Sequence, residues 1–146
     1  MKPLQRGFSL IEIMVVVVIL AILGAAVVPS LLGQTDKARY ARAQADIAKL
    51  DSMIELYKIQ TGVFPSTEQG LYALVRKPAG EPEPRNYPQN GYIKKLSQDP
   101  WGNDYIYVYP GEHGPYDIFS LGADGQEGGE GFDADITNWD QSESEG

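Results

Sequence analysis

Glu12 is the only charge in the apolar run from Phe8 to Val28, whose first part reads FSLIEIMVVVVILAIL. A carboxylate in mid-membrane costs about 2.5–3.5 kcal/mol on insertion scales, so this residue calls for a partner. The sequence offers one. Gly7 is a small residue just ahead of the run, and cleavage between Gly7 and Phe8 would create a new α-amine on Phe8. That cation lies one helical turn from Glu12. The carboxylate would lean back to its own amine or meet the amine of a neighbouring copy. The plainer alternative is an acid at headgroup level, favoured by the dipole at a helix N-terminus.

A second set of chemically able residues lies near the other end, in SLGADGQEGGEGFDADI, residues 120–136. From Gly111 to Gly146 there are ten acids and no Lys or Arg. A hard cation takes 6–8 oxygens from carboxylates and carbonyls on a chain that can turn sharply. Asp124, Asp133 and Asp135 lie among glycines that give such a chain. The acid spacing is not that of an EF-hand. Residues 128–133 match the G-G-x-G-x-D start of a calcium β-roll, but a single copy cannot stack. The competing reading is a solvated acidic tail, which is the reading for the terminal DQSESEG.

Other chemistry finds little support. The chain has one histidine, His113, and no cysteine. Ser9, Ser30, Ser66 and Ser120 lack a His/Asp setting, so neither a nucleophilic triad nor a zinc site is indicated. His113 sits in a Gly/Pro turn and reads as a solvated loop histidine. The formal charge of −8 makes nucleic acid a poor partner. The chain reads as a non-enzyme.

The elements that position these residues follow from periodicity. Phe8–Val28 as a helix is about 31 Å long, close to the roughly 30 Å core of a bilayer. Lys2 and Arg6 form a basic leader that the positive-inside rule holds in the cytoplasm. A secretory signal places its small-residue site after the apolar core. Here Gly7 precedes it, so cleavage would leave the helix on the mature chain. The expected divisions are a leader at 1–7, a transmembrane and assembly helix at 8–33, and a domain at 34–146. Pro29 removes a helical hydrogen bond and crowds the Ala25 carbonyl, weakening 24–29. Beyond it, Ala43, Ile47, Leu50, Ile54 and Tyr57 share one helical face, and Gly62 is a stop. One helix is therefore expected from about 8 to 61.

Ser66 and Gln69 form a capping box for a short helix with Leu71, Leu74 and Val75 inward. Residues 77–91 read as an irregular loop. Asp99-Pro100-Trp101-Gly102 is a turn before strands at 104–109 and 116–122, with a third in DITNW. The fold class is α+β: a long N-terminal helix on a small antiparallel sheet. No cysteine means no disulfide staple.

Lys2, Arg6, Gly7-Phe8 and Glu12 ahead of an apolar helix resemble the signal of type IV pilins and pseudopilins. FPSTEQGLYAL, GYIKKLSQDPWGNDY and DIFSLGADG narrow the resemblance to the major pseudopilins of type II secretion systems, over nearly the whole chain before the acidic tail. The resemblance implies a pilin-like fold. It also implies a prepilin peptidase that cuts after Gly7 and methylates Phe8, and a Glu12 that pairs with the amine of an adjacent subunit. Pro29 marks a segment, within residues 21–29, that would stretch out of helix in the filament. The implied product is a helical homopolymer growing in the periplasm from the bacterial inner membrane. Each subunit would be single-pass with its C-terminal domain periplasmic. The implied partners are minor pseudopilins, an assembly ATPase, inner-membrane platform proteins and an outer-membrane secretin.

The family also implies calcium in the glycine-rich loop. The matching residues are Asp124, Asp135 and Asp133, with the Leu121 carbonyl. The match is less close where paired acids before Ile-x-Asn-Trp read Asp133-Ala134-Asp135 here. Two alternatives remain: a type IV pilus subunit, disfavoured by the missing cysteines, and a membrane-anchored calcium-binding adaptor.

Overall fold

The structure is a computed structural model that describes residues 7–140, without the side chains of residues 26–32. The leader ahead of Gly7 and the end of the acidic tail, residues 141–146, lie outside the described residues. Two compact units divide the chain, Met1–Asp36 and Lys37–Gly146.

The first helix, α1, spans Leu10–Thr61. Its start is fixed by Ser9, whose Oγ accepts the Glu12 N–H at 3.2 Å. Ser9 and Glu12 thus have the spacing of a capping box, with the acid in the first turn where the dipole favours it. The helix is unbroken through residues 21–29 in this single chain. At its C-terminus the Gly62 N–H donates to the Lys58 carbonyl at 2.9 Å, and Lys58 Nζ donates to the Gly62 carbonyl at 2.8 Å.

In the second unit, Ala43, Ile47, Leu50, Ile54 and Tyr57 are all buried on one face of α1, as their spacing predicts. The capping box forms as expected: the Ser66 N–H donates to Gln69 Oε1 at 3.0 Å, and the Gln69 N–H to Ser66 Oγ at 3.2 Å. It closes only a turn, because Gly70 adopts a φ of +57°, which ends right-handed helix at once. The chain continues as a four-residue 3-10 helix, Leu71–Leu74, with Leu71, Ala73 and Leu74 buried and Val75 half-buried. Gln69 also pins the irregular 77–91 loop, its Nε2 donating to the carbonyls of Ala79, Gly80 and Pro82.

The sheet is an antiparallel meander of β1 (Ile106–Val108), β2 (Asp117–Ser120) and β3 (Ile136–Thr137), in that order. Each strand is shorter than the sequence pattern suggests. Tyr107 lies opposite Ile118, and Ser120 opposite Ile136. Tyr107 within β1 and Tyr105 just ahead of it are buried. Each sends its hydroxyl to an acceptor, unlike the buried hydroxyls of Tyr57 and Tyr92, which have no partner among the described residues. Tyr105 donates to Asp46 at 3.0 Å and Tyr107 to the Pro65 carbonyl at 2.9 Å. Tyr116, just before β2, reaches both Asp51 Oδ1 at 2.9 Å and Glu55 Oε1 at 3.0 Å. One phenol therefore bridges two acids a helical turn apart, ordering a like-charged pair that would otherwise repel.

Burial pushes the Tyr57 phenol up to about 12, with Tyr92 and Tyr87 adding to the shift. Burial also raises Tyr105, Tyr107 and Tyr116, and the neighbouring acids raise Tyr105 and Tyr116 further. A phenol raised above its ordinary value of about 10 stabilises the fold fully below that value and loses its contribution as pH climbs through the folded value. Thermal unfolding followed by circular dichroism should therefore show a flat melting temperature between about pH 7 and 9.5 and a fall above about pH 10. Phenolate absorbance from these residues should appear together with unfolding. Phenolate formation in a chain that keeps its melting temperature would contradict this packing.

Candidate functional site

The first candidate is the start of α1. Every described side chain from Phe8 to Ala25 is exposed. Phe8, Leu10 and Ile11 are 77%, 80% and 67% exposed, and the run continues through Leu23. Scattered apolar surface is ordinary, but an apolar surface on all sides of several helical turns must be covered by lipid or by other helices. Glu12 is exposed in the first turn, its backbone N–H taken by Ser9. Gly7 and Phe8 precede the helix, which leaves the bond between them on non-helical chain. Among the described residues no helix is long and apolar enough to cross a membrane. The expected span at 8–33 runs into residues 26–32, whose side chains, Pro29 included, lie outside the described residues.

The second candidate is the loop between β2 and β3. Leu121 follows directly on the last residue of β2. Asp124 lies in the next turn, exposed, with Oδ1 accepting the Gln126 N–H at 3.0 Å. Asp133 ends a short 3-10 helix, Gly131–Asp133. Asp135 immediately precedes β3. The loop is drawn together from inside. The Ala123 N–H donates to the Phe132 carbonyl at 3.1 Å, and the Asp135 N–H to the Gly128 carbonyl at 3.2 Å. The Gly128 N–H returns to Asp135 Oδ2 at 3.0 Å. Gly122 comes so close to the opposite arm that an added Cβ would lie 2.7 Å from the Ala134 carbonyl oxygen and 2.8 Å from that of Asp133.

The donor chemistry of this loop suits a hard cation. Asp135 Oδ1 is buried and has no hydrogen-bond partner among the described residues, a costly arrangement for an ionised oxygen unless a cation meets it. Among the described residues no three His, Cys, Asp or Glu side chains converge as a metal-holding group. Carboxylates would therefore supply part of the oxygens, and backbone carbonyls near the Gly122 crossing the rest.

His113 is an exposed loop residue, as its sequence reading has it, but it also makes specific contacts. Its ring stacks on Trp139 with centroids 4.0 Å apart and planes 5° apart. Its Nδ1 lies 3.1 Å from Asp117 Oδ2. Asp117 also accepts the Glu112 N–H at 2.8 Å and the His113 N–H at 3.3 Å. Burial pushes the Asp117 carboxyl up, but these N–H groups and the His113 ring outweigh it and hold the group below the usual carboxylate range. No short-range pattern signals this cluster, because Trp139 arrives from beyond β3. The same holds for Ser120 and Asp99, buried polar residues that meet at 2.7 Å beneath the glycine-rich loop. A sequence hint existed only for Asp99, which opens the predicted turn.

Comparisons with known proteins agree with one another. Residues 30–139 match the family described as "Type II secretion system (T2SS), protein G", and residues 2–28 match the prokaryotic N-terminal methylation motif. The type II secretion system core protein G of Vibrio cholerae is 58% identical over 135 residues, 92% of each chain. That of Pseudomonas aeruginosa is 55% identical over 136 residues, 93% of this chain and 96% of its own. The crystal structure of the major pseudopilin from the type 2 secretion system of enterohaemorrhagic Escherichia coli superposes with a TM-score of 0.68. It is 48% identical, over 76% of this chain and 91% of that one. A fold of this shape, a methylation motif on the exposed apolar helix and these matches together place the chain in the type II secretion system protein G family of pseudopilins.

Proposed function

We propose that this chain works by polymerising: it is the repeating structural subunit of a periplasmic pseudopilus that drives folded proteins across the outer membrane. The observation that carries this reading is the apolar run at 8–25, exposed on every side, with Glu12 in its first turn. Lipid covers that surface before assembly, and identical helices cover it afterwards. Each subunit is offset along the filament axis by head-to-tail contacts that do not close into a ring. Cleavage after Gly7 provides the Phe8 amine, which is then methylated, and the amine of one subunit meets Glu12 of the next. A misplaced subunit would bury an unpaired carboxylate, at a cost of about 3–5 kcal/mol, so Glu12 sets the register. The segment ahead of Pro29 lets the packed helices stretch locally in the polymer.

The subunit is anchored in the inner membrane as a single-pass protein with its C-terminal domain in the periplasm. A prepilin peptidase processes it, an assembly ATPase and inner-membrane platform proteins drive growth, minor pseudopilins begin the tip, and a secretin receives it. Calcium belongs to the same proposal. Asp124, Asp135 and Asp133, with the Leu121 carbonyl, would hold it once the loop closes on the ion, since the three side chains do not converge among the described residues, and it would tie the two arms of the loop in a chain without disulfides. Bound calcium supplies positive charge where Asp135 Oδ1 is buried without a partner among the described residues.

Replacing Glu12 tests the assembly reading. In cells, Glu12→Ala should still insert and be cleaved but should lose assembly and, with it, secretion. Cross-linking of membrane extracts through Lys37→Cys should give a ladder of oligomers in the parent and monomer in the Glu12→Ala chain. A ladder from both would remove Glu12 from the mechanism, and monomer from both would favour an anchored adaptor. Calcium is tested by melting a fragment that starts at Thr35. At a hundred times the dissociation constant, bound calcium adds about 2.7 kcal/mol, or at least about 10 °C for a domain of this size. Chelation should remove that increment, and Asp124→Ala should abolish the difference. Equal melting with calcium and chelator in the parent fragment would leave a plain acidic loop.

A further inference from the structure

We infer that Asp99 and Ser120 are positioning residues for the glycine-rich loop: they orient the Leu121 carbonyl and brace Asp124 for cation binding. This inference rests on the proposed calcium site. Ser120 is fully buried and Asp99 is 4% exposed. Both sit at the neck of the loop, where β2 ends opposite the start of β3 and Ser120 pairs with Ile136.

The carboxylate of Asp99 is saturated from two directions. Oδ1 accepts the N–H groups of Trp101 at 3.0 Å and Asn103 at 2.8 Å. Oδ2 accepts the Ser120 hydroxyl at 2.7 Å, a short bond of the charge-assisted kind. The turn is closed again on the main chain, by the Gly102 N–H on the Asp99 carbonyl at 3.1 Å and the Asp99 N–H on the Asn103 carbonyl at 2.8 Å. Residues 99–103 thus form a small rigid platform.

The platform reaches the loop at two points that flank Asp124. At the first, the Gly122 N–H donates to Ser120 Oγ at 3.3 Å. The Ser120 hydroxyl points its hydrogen at Asp99, so its oxygen is left to accept. The Gly122 N–H and the Leu121 C=O belong to one planar trans peptide and point in opposite directions. Holding the N–H down onto Ser120 therefore turns the Leu121 carbonyl away from the buried neck. At the second point, a Cβ built on Gly125 would lie 3.6 Å from Asn103 Nδ2, so the Asn103 side chain stands beside the loop there. Asp124 lies between the two. Groups that orient metal ligands from behind commonly carry about 10–100-fold in affinity.

The test is calcium titration by calorimetry on the full chain in detergent, with melting in chelator measured alongside. Asp124→Ala should lose calcium binding. Ser120→Ala should weaken it about tenfold, and its melting gain from calcium should shrink. Wild-type affinity in Ser120→Ala, or an equal loss of melting temperature with and without calcium, would reduce the residue to a packing role and overturn the inference while leaving calcium in place. No binding by the parent chain would instead remove the calcium reading, and this inference with it. Should Ser120→Ala fail to fold, Asn103→Ala decides, because Asn103 is exposed and its backbone bond to Asp99 survives the change. Weaker calcium binding with unchanged melting in chelator is expected of it. Unchanged affinity would overturn the inference.

Discussion

An apolar helix surface that its own chain leaves exposed is the constraint on which the rest of this protein depends. From Phe8 to Ala25 the described side chains are exposed on all sides, at about 25 cal/mol for each Å² of apolar surface left in water. Two environments relieve that cost: lipid, and other copies of the same helix. A subunit able to use both can be stored in one and moved to the other. In the proposed assembly, Glu12 would make the transfer specific. An acid in an apolar setting penalises every arrangement that leaves it without a cation, and so converts a non-directional attraction into a register.

The second unit solves a different problem. Its sheet has only short strands, β3 being two residues long, and the chain has no disulfide. It compensates with tyrosines that do double duty. Tyr105, Tyr107 and Tyr116 fill the core with their rings and tie elements distant in sequence with their hydroxyls. Buried carboxylates act likewise. Asp117 gathers the β1–β2 turn, and Asp99 gathers the turn before β1 and fastens it to the end of β2. Each acid is satisfied by several donors, which is what makes a buried charge tolerable.

What the sequence made legible was what repeats along it or lies close in it. The face of α1 from Ala43 to Tyr57, the Ser66–Gln69 box and the three strands could be read from spacing. The helix after Ser66 is shorter than its sequence implies, because a capping box signals a start, while Gly70 one residue later dictates the stop. The Ser9 cap ahead of Glu12 is a weaker sequence signal than the acid itself. Within the glycine-rich loop, the acids were visible but the support beneath them was not. The partner of Ser120 lies 21 residues back along the chain, and Trp139 reaches His113 from past β3. Neither pairing has a local pattern that propensity or periodicity could detect.

The central claim is that Glu12 of one subunit is neutralised by the Phe8 amine of another. A helical reconstruction of the assembled filament measures this directly. The account predicts that each Glu12 carboxylate lies within about 4 Å of the Phe8 amine nitrogen of a neighbouring subunit, the separation of an ion pair. Well-ordered helices in which Glu12 faces only apolar side chains, or pairs solely with the amine of its own chain, would contradict it.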